Sequence, residues 1–209
     1  KMKRFVALVL STFVLFAAGL VSFAAPVHSN SPAQWHATAV LTNTDTGEKS
    51  FVPINLAESS IKKTSDSSQC FTEKATVYFK ISNSEIQPCY SDTSISETDV
   101  KATIKITYNR SSDKIQVTNV SGSWIPDNSQ IQISNRSVDY GDGGPLSSGH
   151  SAHQKPTSNS FSYTTGWPWV TWYPASSDAM SGARAYSTAT VSVTGMSSHT
   201  IEVFVTATK

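Results

Sequence analysis

Apolar and polar side chains alternate along most of the chain after residue 34. The clearest case is the segment from Val100 to Tyr108, in which Val, Ala, Ile and Tyr fall on one face and Lys and Thr on the other. This period of two is typical of a half-buried β-strand, because successive side chains of a strand point to opposite faces. Comparable segments predict ten short strands: Trp35 to Asn43, Phe51 to Leu56, Ala75 to Ile81, Val100 to Tyr108, Ile115 to Trp124, Ile131 to Tyr140, Phe161 to Thr165, Val170 to Tyr173, Ala185 to Val193 and Ile201 to Ala207.

Two of these strands change phase partway along, which a regular pleat cannot do. The apolar positions shift between Val117 and Val120 in one strand, and between Ile133 and Val138 in the other. One extra residue moves all the following side chains to the opposite face of a sheet. We therefore expect a bulge or a corner in each of these two strands.

Turn-forming residues separate the strands, and the connection from Arg110 to Asp113 is short enough to close a hairpin. Only Asn55 to Lys63 has a helical signature, with Asn55 as a capping residue and Glu58 three positions later, which predicts one or two turns of helix. Many short antiparallel strands predict an all-β fold. The expected architecture is a two-sheet antiparallel β-sandwich of the immunoglobulin-like type, with a β-barrel as the alternative.

The first 24 residues have the features of a secretory signal peptide. The amino terminus is basic, residues 5 to 21 are almost uninterruptedly apolar, and Ser22 and Ala24 are the small residues of a cleavage site. Cleavage there leaves residues 25 to 209 as a single extracellular domain, so we expect a secreted protein. The alternative is an uncleaved membrane anchor, because about 17 to 25 apolar residues can span a bilayer.

The charge of the chain bears on its partners. It has 16 Lys and Arg against 15 Asp and Glu, and removal of residues 1 to 24 takes away three basic residues, which leaves 13 against 15. A formal net charge of about −2 is not the clustered positive charge that nucleic acid or anionic lipid attracts. We therefore predict no nucleic acid partner.

The only two cysteines are Cys70 and Cys89. Exported proteins fold in an oxidising environment, so a disulfide between them is predicted. Such a bond would stabilise the fold by about 3 kcal/mol if its geometry is relaxed. The alternative is a pair of buried thiols. Two cysteines alone cannot build a zinc site, and no metal site or cofactor is predicted.

Aromatic residues are concentrated in the segment from Gly166 to Pro174. On an extended strand Trp167, Trp169 and Tyr173 would face one way, and Trp172 would face the other. At least one large aromatic side chain would then stay exposed, whichever face is buried. Exposed aromatic rings stack on sugar rings or lie at a bilayer interface, so these four residues are predicted ligand contacts. The alternative is that the Trp side chains fill the core.

Asp139 and Asp142 begin a glycine-rich polar segment that continues to Lys155 and includes His150 and His153. Acidic residues beside glycines can bind calcium, and two histidines can share a metal, but the full ligand spacing of either site is missing here. Asp139 and Asp142 are instead predicted to belong to a ligand-binding loop, because long loops without secondary structure are uncommon unless they are functional. A plain polar surface loop is the alternative.

No motif of a hydrolase, a metalloprotease or a phosphate-binding loop occurs in the chain, and no catalytic residue is predicted. We therefore expect a secreted, non-catalytic binding module whose partner is a cell-envelope glycan or a surface protein. The alternative is a membrane-acting secreted β protein that resembles a pore-forming toxin, because alternating strands with aromatic girdles also build such pores.

Overall fold

A computed structural model describes most of the chain from residue 34 onward. The described ranges are residues 34–63, 69–82, 97–111, 113–143, 149–172, 182–194 and 196–208. The predicted signal peptide of residues 1–24 lies outside these ranges. The described part of the chain contains no helix with the length and apolar character needed to cross a membrane.

The described residues form twelve β-strands and no helix. The strands are β1 (Gln34–Asn43), β2 (Lys49–Phe51), β3 (Ile54–Lys63), β4 (Gln69–Ser82), β5 (Glu97–Arg110), β6 (Lys114–Pro126), β7 (Ile131–Gly141), β8 (Ser151–Gln154), β9 (Ser160–Thr164), β10 (Val170–Thr171), β11 (Ala183–Val193) and β12 (His199–Thr208). The predicted all-β class is therefore confirmed.

The strands form two antiparallel sheets that pack face to face. Sheet I has the order β2-β1-β12-β11-β7-β8. Sheet II has the order β10-β6-β5-β4-β3, and β9 also pairs with β6. The predicted β-sandwich is confirmed, and the alternative of a closed barrel is wrong. The first and last strands of the described chain are neighbours in sheet I, in register from Gln34 opposite Thr208 to Asn43 opposite His199.

The core lies between the sheets and consists of alternate residues of the strands. On β5 every apolar residue of the predicted inward face, from Val100 to Tyr108, is buried. On β11 buried residues likewise alternate with half-buried ones from Ala183 to Val193. Burial of these side chains removes apolar surface from water, which is the main favourable contribution to folding.

Both predicted phase changes are β-bulges. Thr107 pairs with Asn119 and Tyr108 pairs with Val117, so Thr118 is the extra residue in β6. In β7 the register shifts between the pairs Ser134–Thr190 and Ser137–Thr188. Two residues of β7, Asn135 and Arg136, therefore face the single residue Ala189 of β11. Asn135 has a φ of 47°, in the left-handed region that Asn tolerates better than most residues.

The helix predicted over Asn55 to Lys63 is wrong, because these residues belong to β3 and pair with β4. A local capping signal is weak, and strand pairing readily overrides it. The strand predicted from Phe51 to Leu56 is divided, since β2 ends at Phe51 and β3 begins at Ile54. Pro53 lies in the gap, where its missing N–H breaks the ladder of hydrogen bonds.

The predicted disulfide is not supported by the structure. Within the described residues Cys70 is a free, half-buried cysteine on β4. Cys89 lies outside the described residues. Cys70 pairs across the sheet with Asn109 of β5 and Lys62 of β3, so ladder hydrogen bonds hold this end of β4 on both sides.

Candidate functional site

The predicted aromatic segment runs along the edge of sheet II. Val170 and Thr171 form β10, which pairs with Ile115 and Lys114 of β6. Trp172 then donates its backbone N–H to the carbonyl oxygen of Asp113, at 2.8 Å. Of the described residues 166–172, only Val170 and Thr171 therefore form a strand, and the other five lie outside any regular pleat.

Trp172 is a core residue, with 2% of its surface exposed. Its indole lies beneath the guanidinium of Arg110 inside the fold, so the side chain is buried, and its role as a ligand contact stays a prediction. Tyr173, the neighbouring predicted contact, lies outside the described residues. The alternative, that Trp side chains of this segment fill the core, holds for Trp172.

Trp167 is half-buried and has an aromatic partner on either side. Its ring centroid lies 5.5 Å from that of Tyr140 and 5.2 Å from that of His150. Its carbonyl oxygen accepts a hydrogen bond from Nε2 of Gln116, at 2.5 Å. Trp169 is different, since 39% of its surface is exposed. Of the three predicted Trp contacts, Trp169 is the one whose side chain is free to meet a ligand.

A row of contacting aromatic rings, stacked except for one tilted pair, joins the edges of the two sheets. Neighbouring members have centroids 5.2 to 5.9 Å apart. In order they are Trp124, Phe161, Tyr163, Tyr140, Trp167 and His150. Burial raises the pKa of Tyr163, and the neighbouring Tyr140 adds to this effect. The row fixes the aromatic segment against the strands that carry the predicted polar loop, so the two predicted regions are neighbours.

The polar loop contains a strand that the sequence did not predict. Residues Ser151–Gln154 form β8, which pairs with β7 so that His153 lies opposite Asp139. Nδ1 of His153 is 2.8 Å from Oδ1 of Asp139, and the two side chains are 53% and 49% exposed. This carboxylate and imidazole are therefore accessible from solvent.

Asp142 and His150 form a second, interior pair. Oδ1 of Asp142 accepts the backbone N–H of His150 at 2.8 Å and lies 3.0 Å from its Nδ1. Asp142 is 1% exposed, so its carboxylate is buried, and its role as a ligand contact stays a prediction. His150 contacts the inward-facing aromatic row, whereas His153 pairs with Asp139 in solvent. Within the described ranges no three His, Cys, Asp or Glu side chains are arranged to hold a metal ion.

The outer face of sheet I has a groove of about 440 Å³ that spans β8, β7, β11 and β12. Tyr186 pairs across the sheet with Asp139 on one side and with Phe204 on the other, so these side chains form a row. The side chains with recognition chemistry at its wall are Asp139, His153, Arg184, Tyr186 and Phe204.

Burial raises the pKa of Tyr186, as do the hydrogen bond that its hydroxyl donates to Oε1 of Glu202 and the charges of Glu202 and Asp139. The hydrogen bond also fixes the direction of the Tyr186 hydroxyl at the wall of the groove. Gly141 leaves room for Arg184 beside it, because a Cβ there would lie 2.8 Å from Nη2 of Arg184.

Of the predicted site residues that the structure describes, Asp139 is the one that lines the groove. Three further groove residues, Arg184, Tyr186 and Phe204, were not predicted as site residues. The sequence did contain a signal for them, because each occupies an outward position of an alternating strand. Most outward positions of β11 hold Ser or Thr, so large side chains in that phase stand out. What the sequence lacks is the register that brings the strands together.

The chain matches no protein-family model, no curated protein and no solved structure. The fold and the groove define it as a β-sandwich with an open polar and aromatic groove on one sheet.

Proposed function

We propose that the protein is a secreted, non-catalytic binding module that holds a glycan of the cell envelope in the groove of sheet I. The observation that carries the proposal is the row of an accessible carboxylate, Asp139, beside two aromatic rings, Tyr186 and Phe204, on one open sheet face. Sugar rings need both kinds of contact, since they have apolar C–H faces and a rim of hydroxyl groups.

The chemistry of the groove suits such a ligand. Tyr186 and Phe204 offer aromatic surface for the apolar face of a sugar ring. Asp139 accepts hydrogen bonds from hydroxyl groups, Arg184 donates them, and hydrogen bonds to charged groups are the stronger ones. A volume of about 440 Å³ lies within the range of about 300 to 1,000 Å³ typical of small-molecule sites. One or two sugar units are the expected occupant.

The test is binding to a panel of soluble and insoluble cell-envelope glycans. The double variant Asp139→Asn, His153→Ala removes the accessible pair. Because both side chains are about half exposed, the fold should tolerate their replacement. The control is Trp169→Ala, which removes an exposed aromatic ring that does not line the groove. We expect the affinity of the double variant for the glycan to fall at least tenfold, which corresponds to about 1.4 kcal/mol of binding free energy. The control should bind as tightly as the native protein does.

Two results would contradict the proposal. Failure of the native protein to bind any glycan of the panel would remove the proposed function. Loss of binding in Trp169→Ala, with the double variant unaffected, would move the contact surface to the predicted aromatic segment. The alternative partner is a surface protein that binds in the same groove. Capture of that protein should then be lost in the Asp139→Asn, His153→Ala variant.

A further inference from the structure

The outer face of sheet II carries a cluster of lysines on two neighbouring strands. Lys74 and Lys80 of β4 and Lys101 and Lys105 of β5 all occupy outward positions. They extend over about 20 Å, at about 3.4 Å per residue from Lys74 to Lys80. The near-zero net charge of the whole chain conceals this arrangement.

Two of these lysines are placed at a cost to the fold. Lys74 and Lys105 are direct partners in the register of β4 and β5. Like charges directly opposite each other destabilise a sheet. The next pair of outward residues, two positions along each strand, is Thr76 opposite Thr103. Neither residue carries a charge that would offset the lysines. Asp99 lies opposite Lys80 at the far end of the face.

Exposed apolar side chains border the lysines. Tyr78 and Ile125 are 45% and 52% exposed, and they flank Lys101 across the sheet on either side. Nζ of Lys101 lies 5.7 Å from the ring centroid of Tyr78. We call the surface of Lys74, Tyr78, Lys101, Lys105 and Ile125 the basic face.

We propose that the basic face is a docking surface for a bilayer that contains anionic lipid. Lysine ammonium groups are compact cations that attract phosphate, and two neighbouring strands present several of them on the same face of the sheet. Tyr is favoured at the interface between water and lipid, and Ile125 gains by entering the acyl boundary. An anionic polysaccharide would satisfy the lysines but offers no apolar phase for Ile125, which is why lipid is the occupant favoured here.

This docking is peripheral, and it uses the folded sandwich without rearrangement of strands. It is also independent of the groove, which lies on the outer face of the other sheet. A protein docked in this way would hold sheet I away from the bilayer, so the two surfaces can be tested separately.

The test is cosedimentation of the purified protein with phosphatidylcholine vesicles, with and without about 30% phosphatidylglycerol, at low and physiological salt. The main variant is Lys74→Gln, Lys105→Gln. The matched control is Lys49→Gln, Lys155→Gln, which changes the net charge equally at two exposed lysines outside the basic face. All variants have the same amino terminus, so its contribution to binding cancels.

We expect the native protein to prefer the anionic vesicles and the main variant to bind them about tenfold to thirtyfold more weakly. The control should stay within about twofold of the native protein, since its lysines do not face the bilayer. Ile125→Ser should weaken the binding that persists at high salt, where charge attraction is screened. The main variant should unfold at no lower temperature than the native protein, because it removes a repulsion, and this separates lost binding from lost folding.

Equal binding to both kinds of vesicle, or equal loss in both lysine variants, would overturn the proposal. Tighter binding to a soluble anionic polysaccharide than to vesicles, unaffected by Ile125→Ser, would assign the face to a polymer instead. Release of a trapped dye from the vesicles would overturn peripheral docking in favour of membrane insertion.

Discussion

The guanidinium of Arg110 lies over the indole ring of Trp172, with its Cζ 4.3 Å from the ring centroid. Both residues are buried, where the hairpin of β5 and β6 meets the end of β10. Arg110 also lies 5.8 Å from the centroid of Phe71, which stacks on Tyr108. A cation held between two aromatic rings in this way stabilises the end of the sandwich.

The first prediction contrasts Trp172 with Trp169. Trp172→Ala should lower the free energy of unfolding by about 3 to 5 kcal/mol, because it leaves a cavity and exposes the buried guanidinium. Trp169→Ala should change it by less than about 1 kcal/mol, since the side chain is partly in solvent. Urea denaturation followed by circular dichroism measures both. Equal effects of the two changes would contradict the buried placement of Trp172.

The second prediction contrasts the two acidic residues of the polar loop. Asp142→Ala should destabilise the fold by about 1 to 3 kcal/mol, because it leaves the backbone N–H of His150 without its acceptor. Asp139→Ala should cost less than about 1 kcal/mol, since its partner His153 is exposed. Thermal unfolding measures the stability of each variant. If Asp139→Ala proved the more destabilising change, the assignment of interior and accessible pairs would be reversed.

The third prediction concerns the bulge in β7. Asn135 has a positive φ, which β-branched side chains avoid. Asn135→Val should therefore destabilise the protein by about 1 to 2 kcal/mol, while Asn135→Gly should be close to neutral. Chemical denaturation of the pair measures the difference. Equal stability of the two variants would argue against the left-handed conformation at this residue.

The sequence predicts those features that are local to one strand. Alternation in β5 and β11 indicates both the strands and their buried faces, because each side chain's direction follows from its neighbours alone. The conformation of β3 depends on pairing with β4, so the local capping signal at Asn55 was misleading. The groove depends on register as well. Asp139 could be found from its own loop, but Tyr186 and Phe204 join it only through cross-strand partners that no short segment encodes.

The last prediction is a loss of stability in alkali that depends on two tyrosines. Burial is the largest cause of the raised pKa of both Tyr108 and Tyr186, and a nearby Glu raises each further. Tyrosines of the unfolded chain ionise near pH 10, so above that pH the unfolded state binds fewer protons than the folded state. The free energy of unfolding should therefore fall as the pH rises above about 10. The slope should be shallower in Tyr108→Phe and Tyr186→Phe, and unchanged in Trp169→Ala, which removes no ionisable group. Urea denaturation at several alkaline pH values measures these slopes, and an equal slope in all four proteins would contradict the raised values.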